Sequence, residues 1–169
     1  MYDNYRNNNF QNERSSYDWD RLKKFKYSDS EGNLREQLIT EDALRISNLL
    51  KSSKICEYKD YKGEKRFKKL KEGLTASQLR QFYGEVKGLE LRLEENGGNF
   101  KEVYPFILML KPKIDYKHNR QVIITEFKKF IDTNVDIIKE ENKNGNGYKA
   151  FTDFCLFFEC VVGYFPKTK

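Results

Sequence analysis

Two groups of residues have the types and spacing to hold a phosphate chain. On a helix of 3.6 residues per turn, Ser77, Arg80, Gly84, Lys87 and Gly88 share one side, roughly opposite an apolar stripe of Leu79, Phe82, Tyr83, Val86, Leu89 and Leu93. A mid-helix glycine costs about 1 kcal/mol relative to alanine. Two of them on one side imply a close approach, either by another helix or by a phosphate backbone seated between Arg and Lys. The second group is Lys111, Lys113, Lys117 and Arg120 with Tyr116 among them, offset only by Asp115. Tyr116 has the chemistry to stack on a base or hydrogen-bond a phosphate. The alternative is a solvated corner between helices. A third stretch, 51–71, interleaves Lys62, Lys65, Arg66, Lys68 and Lys69 with Tyr58, Tyr61 and Phe67. That mixture suits single-stranded nucleic acid, or forms a solvated charged loop.

The charge distribution sharpens this. The 169 residues carry a net charge of +6. Residues 51–71 hold nine basic and three acidic side chains, a local excess equal to the whole of it. A uniformly basic, histone-like chain is thereby excluded, and local contact with a polyanion is indicated.

Catalytic and metal chemistry finds little support. His118 is the only histidine, so multi-histidine sites and Cys/His zinc clusters are ruled out; it reads as a solvated loop residue. Cys56, Cys155 and Cys160 form no C-x-x-C pair and read as small apolar core residues of a reduced, cytoplasmic protein. No phosphate-binding glycine loop of the nucleotide-binding kinds occurs. The acidic clusters Asp18–Asp20, Glu94–Glu95 and Glu140–Glu141 lie in a polar tail or at helix ends. No catalytic residue, metal or cofactor is expected. No apolar run approaches the roughly 18 residues of a membrane span.

The elements that must position the basic groups are helical. Residues 1–32 form an Asn-rich polar segment with aromatic residues such as Tyr2, Tyr5, Phe10, Tyr17 and Trp19, expected to be a flexible tail that could order on RNA or protein. Residues 33–169 are expected to be one all-α domain, a compact bundle of about five helices, with an exposed basic loop at about 54–73. A first helix is expected from Thr40, as N-cap, to Ser52. The second opens on a capping box, Thr75 and Gln78, and ends at Gly97-Gly98. A third is expected over 99–116, starting at Pro105 or bending at Pro112. The fourth spans about 119–141. The fifth, about 148–165, is apolar nearly all round, hence central in the bundle or half-covered by a partner.

Three segments carry a resemblance. Leu74-Thr75-Ala76-Ser77-Gln78-Leu79-Arg80 resembles the L-T-x-S-x-L-R motif of the small subunit of type III-A CRISPR effector (Csm) complexes. Leu110-Lys111-Pro112-Lys113-Ile114-Asp115-Tyr116 with Arg120 is similar to that family's L-x-P-K-L-x-Y-x-x-x-R segment. Residues Phe154 to Phe165 resemble its C-terminal helix, with Gly163 where alanine is usual. Gln78 stands where the family often has a basic residue.

The resemblance implies an all-helical, non-enzymatic subunit stacked in several copies as an inner filament, beside the guide RNA and its target. It would grip the RNA backbone without reading sequence and would contact the other subunits of the complex. Carried over residue by residue, it favours Arg80 and Arg120, then Lys113 and Tyr116. A protein-only adaptor docking a partner through the apolar C-terminal helix is the alternative.

Overall fold

The computed structural model describes residues 16–166. Its centre is a set of phenylalanine rings. Phe130 lies 5.0 Å from Phe158 and 6.2 Å from Phe154, and Phe127 lies 5.3 Å from Phe82. All five rings are fully buried. Burying each such side chain contributes about 1.5–3 kcal/mol.

Two helices supply most of these rings: α6 (Thr125–Lys143) and α7 (Gly147–Tyr164). The sharp turn between them depends on Gly147, where a Cβ would lie 2.5 Å from both Asn142 Oδ1 and a Phe100 ring carbon. Against α7 pack α2 (Ala43–Ser52), α3 (Ala76–Glu95) and α6. The apolar circumference of α7 is therefore covered mainly from within the chain, leaving Tyr148, Leu156 and Tyr164 as its exposed large side chains.

The capping box that opens α3 forms as the sequence indicates. Thr75 Oγ1 accepts from Gln78 N at 3.1 Å, and Gln78 Oε1 accepts from Thr75 N at 3.0 Å. The expected third helix is two: α4 (Phe100–Leu108) and α5 (Leu110–Asn119). Pro112 has no N–H for the Leu108 carbonyl, and its ring crowds that carbonyl, so the chain breaks at Met109. Pro105 is accommodated within α4.

Other expectations need correction. The described residues are 66% helical, but the fold is not purely all-α, and it has six helices of nine residues or more among the described residues rather than five. Residues 54–73 are not a loop. They contain β1 (Ile55–Lys59) and β2 (Lys65–Lys69), an antiparallel hairpin pairing Cys56 with Lys68 and Tyr58 with Arg66. Asp60 builds its turn, accepting the N–H groups of Lys62 and Glu64 on one carboxylate oxygen, while Gly63 takes φ +78°. Thr40 is not an N-cap. It lies in a π-helical turn, Leu38–Asp42, that leads into α2, and its hydroxyl bonds back to the Glu36 carbonyl. Asn119 ends α5 and residues 120–124 form a turn, not the start of α6, with Gln121 at φ 56°.

The polar N-terminal segment also departs from a flexible tail where it is described; residues 1–15 lie outside the described residues. From Tyr17 onward it straps across α6. A short helix, α1 (Trp19–Phe25), begins at Asp18, whose carboxylate accepts from Arg21 N. It buries Leu22, and Trp19 packs 6.2 Å from Phe130 and donates to Glu126. Beyond it, Tyr27 donates to the buried Asn134 carboxamide at 2.7 Å, and Asn134 donates in turn to the Phe130 carbonyl. Lys26 pairs with Glu141. Polar composition hid these few anchors.

Leu22→Ala is expected to destabilise the fold by about 2–5 kcal/mol, measured by chemical denaturation. A loss below about 0.5 kcal/mol, the scale of ordinary surface substitutions, would mean that the strap does not contribute to the core.

Candidate nucleic-acid interface

Helices α3 and α5 are bridged by long side chains. Lys113 Nζ reaches Glu85 at 2.8 Å, and Lys117 Nζ donates to Gln81 Oε1 at 2.8 Å while sitting 5.0 Å from the Phe82 ring centroid. Gln78 extends the row, donating from Nε2 to the Val122 carbonyl at 2.9 Å. Gln78, Gln81 and Glu85 succeed one another at helical spacing, so one edge of α3 is fixed to α5 and the turn after it.

The next row on α3 faces solvent. Ser77, Arg80, Gly84 and Gly88 are exposed, and a Cβ built on either glycine would meet nothing within 4 Å. Of the two readings of these glycines, helix packing within the chain is thereby removed. Arg80 has neither an ion pair nor a side-chain hydrogen bond among the described residues. At the end of α5, Arg120 stacks 5.5 Å over Tyr116 and bonds its hydroxyl, and Tyr116 is 62% exposed. An open glycine row thus lies on α3 beside Lys113 and Lys117, with Arg80 on the row and Arg120 beyond the end of α5.

Two expected members lie elsewhere. Lys87 pairs with Glu90 on its own helix and with Glu159 of α7, and the Glu90 hydrogen bond holds its pKa up. Lys111 pairs with Asp136 of α6 at 2.7 Å, a carboxylate shared with Lys23 of the strap. Gln81 and Glu85 escaped the sequence reading, although their spacing from Gln78 marks them.

In the hairpin, Lys65 pairs with Glu57, and Arg66 with Asp60 and Glu64. Lys62 lies 5.6 Å over the Tyr61 ring, and Lys68 and Lys69 are exposed on β2. The hairpin joins the bundle where α5 ends. Thr125 Oγ1 accepts from Glu57 N at 2.7 Å and contacts His118 Nε2 at 2.9 Å; Cys56 donates its thiol to the His118 carbonyl. His118 is therefore buried, not the solvated loop residue expected. Burial, with Lys128 nearby, holds its pKa below the ordinary 6.5. Cys56 and Cys155 are buried and Cys160 is half-buried. Among the described residues no three His, Cys, Asp or Glu side chains converge as metal ligands, and no helix is long and apolar enough to cross a membrane.

The described residues form a mostly helical fold with an exposed face carrying Arg80, Lys113 and Arg120. The chain belongs to the Csm2 Type III-A family, whose model matches residues 50–168. It is thus a small subunit of type III-A CRISPR Csm complexes. The matched span includes the hairpin and leaves out the N-terminal strap. No curated protein and no solved structure matches the chain.

Gly84→Ala and Gly88→Ala should each raise stability by about 0.5–1 kcal/mol, because both glycines are helical and have open space around them. A loss in thermal denaturation would show a constraint on those positions within the fold. For His118, the unfolded chain binds a proton near pH 6.5 that the folded chain refuses. Its contribution is complete above that pH and declines as pH falls toward the lowered value. Denaturation midpoints followed from about pH 7 to about pH 5.5 should fall, and should fall less in His118→Asn.

Proposed function

We propose that this subunit grips the backbone of guide and target RNA through the α3–α5 face, without reading base sequence. It stacks with further copies of itself as an inner filament of the complex and performs no catalysis, in the cytoplasm. The observation that carries the reading is the uncovered glycine row on α3, with exposed Arg80 on it and Lys113 and Lys117 beside it. Phosphate contacts need cations and room for the backbone, and no base-specific fork of side chains. Tyr116 and Arg120 extend the face at the end of α5. Lys113 and Lys117 are pre-positioned by Glu85 and Gln81, so less side-chain entropy is lost on binding. Lys87 and Lys111, being ion-paired toward α7 and α6, serve the fold in this reading.

The test is binding of a single-stranded RNA of arbitrary sequence by the full chain over a salt series. Each neutralised phosphate adds about −0.7 to the slope of log K against log salt. Arg80→Glu and Arg120→Glu should each weaken binding and flatten the slope, with helicity by circular dichroism unchanged. Wild-type affinity in both variants at low salt would refute the assignment.

A further inference from the structure

The hairpin carries chemistry that the α3–α5 face does not use. Its tip is rigid. Asp60 accepts two backbone N–H groups, at 2.8 and 3.0 Å, and the Arg66 guanidinium at 3.0 Å, and the Asp60 N–H donates to the Glu64 carbonyl at 2.9 Å. On this braced turn stands Tyr61, 92% exposed, with the Lys62 ammonium over its ring and in no ion pair among the described residues. The base is equally fixed, through Glu57 N to Thr125 and through buried Cys56 to the His118 carbonyl. One exposed ring alone would mean little. Here a ring and a cation share a rigid support, and 51–71 keeps its excess of six positive charges after every acidic residue in it is counted.

We infer that the hairpin tip is a separate contact for an unpaired nucleotide of single-stranded RNA, with Tyr61 as a stacking platform and Lys62 as the phosphate partner. This rests on the proposed RNA-binding function and adds to it a preference for unpaired RNA. In an A-form duplex the bases are stacked on one another and the major groove is too narrow for side chains, so only an unpaired base offers its face to the ring. An acidic peptide would engage the lysines and leave the tyrosine unused. The hairpin docks on His118 at the end of α5 and Thr125 at the start of α6, near Arg120, so an RNA strand following the α3–α5 face runs toward it.

The experiment uses the full chain and one oligoribonucleotide carrying 2-aminopurine, single-stranded or annealed to its complement. Wild type should change the 2-aminopurine fluorescence on binding the single strand, and Tyr61→Ala should not. Tyr61→Ala should lose at least about fivefold in single-strand affinity, the lower end for one lost base–aromatic stack, with duplex binding unchanged. Tyr61→Phe should retain wild-type affinity, and Lys62→Gln should flatten the salt slope by about 0.7. Because Tyr61 packs against nothing in the core, its replacement leaves the fold intact. If Tyr61→Ala binds as wild type while Arg80→Glu does not, the tip contact is refuted and the α3–α5 face stands. Equal losses on single strand and duplex also refute stacking on an unpaired base. Absence of RNA binding by wild type refutes both.

Discussion

The structure depends on one packing constraint, the burial of α7 against α6 through phenylalanine rings. Phe154, Phe157 and Phe158 of α7 all contact Phe130 of α6, the closest pair 5.0 Å apart. A helix apolar nearly all round cannot remain in water, so α2, α3 and the π-helical turn also close on it. Each helix enters with its own apolar stripe, and that requirement decides which of its sides is left outside. The N-terminal strap obeys the same rule, laying Trp19, Leu22 and Tyr27 over the remaining side of α6.

The candidate interface is a consequence of this burial. Once Leu79, Phe82, Val86 and Leu93 turn inward, Arg80, Gly84 and Gly88 must turn outward. The break at Met109 then separates α5 from α4. Its lysines reach the flank of α3, where Glu85 and Gln81 hold two of them. Partial neutralisation by one carboxylate leaves the face cationic while fixing where the charges stand. Ion pairs elsewhere have the opposite role. Lys111 with Asp136, and Lys26 with Glu141, join elements and present little free charge.

The hairpin is joined to the bundle by polar contacts around the buried Cys56. The Thr125 hydroxyl accepts from Glu57 N and faces a buried imidazole that burial keeps neutral, so it can donate to that ring. Such a joint satisfies its own backbone groups at the edge of the core, where an unpaired polar atom would be costly. It also places the most basic segment of the chain beside the end of α5.

The helices α3 and α7 were legible in the sequence because periodicity and caps are local. Thr75 and Gln78 lie three residues apart, and the phenylalanines of 151–158 repeat at helical spacing. The hairpin was not, because alternating lysines and aromatics read equally as a loop until Cys56 and Glu57 find partners more than sixty residues away. Nor was the strap, whose anchors Trp19, Leu22 and Tyr27 sit among polar residues and gain value only against α6. By itself, then, the sequence determined a helical chain, the family its motifs resemble, and the residue types of the proposed phosphate-binding face. Tertiary structure decided how these cations are paired: Lys113 is held by Glu85 on the neighbouring helix, whereas Lys87 and Lys111 pair toward α7 and α6 and Arg80 is in no ion pair among the described residues. The physical reason is that a charge's availability depends on its neighbours in space, and those neighbours come from other helices.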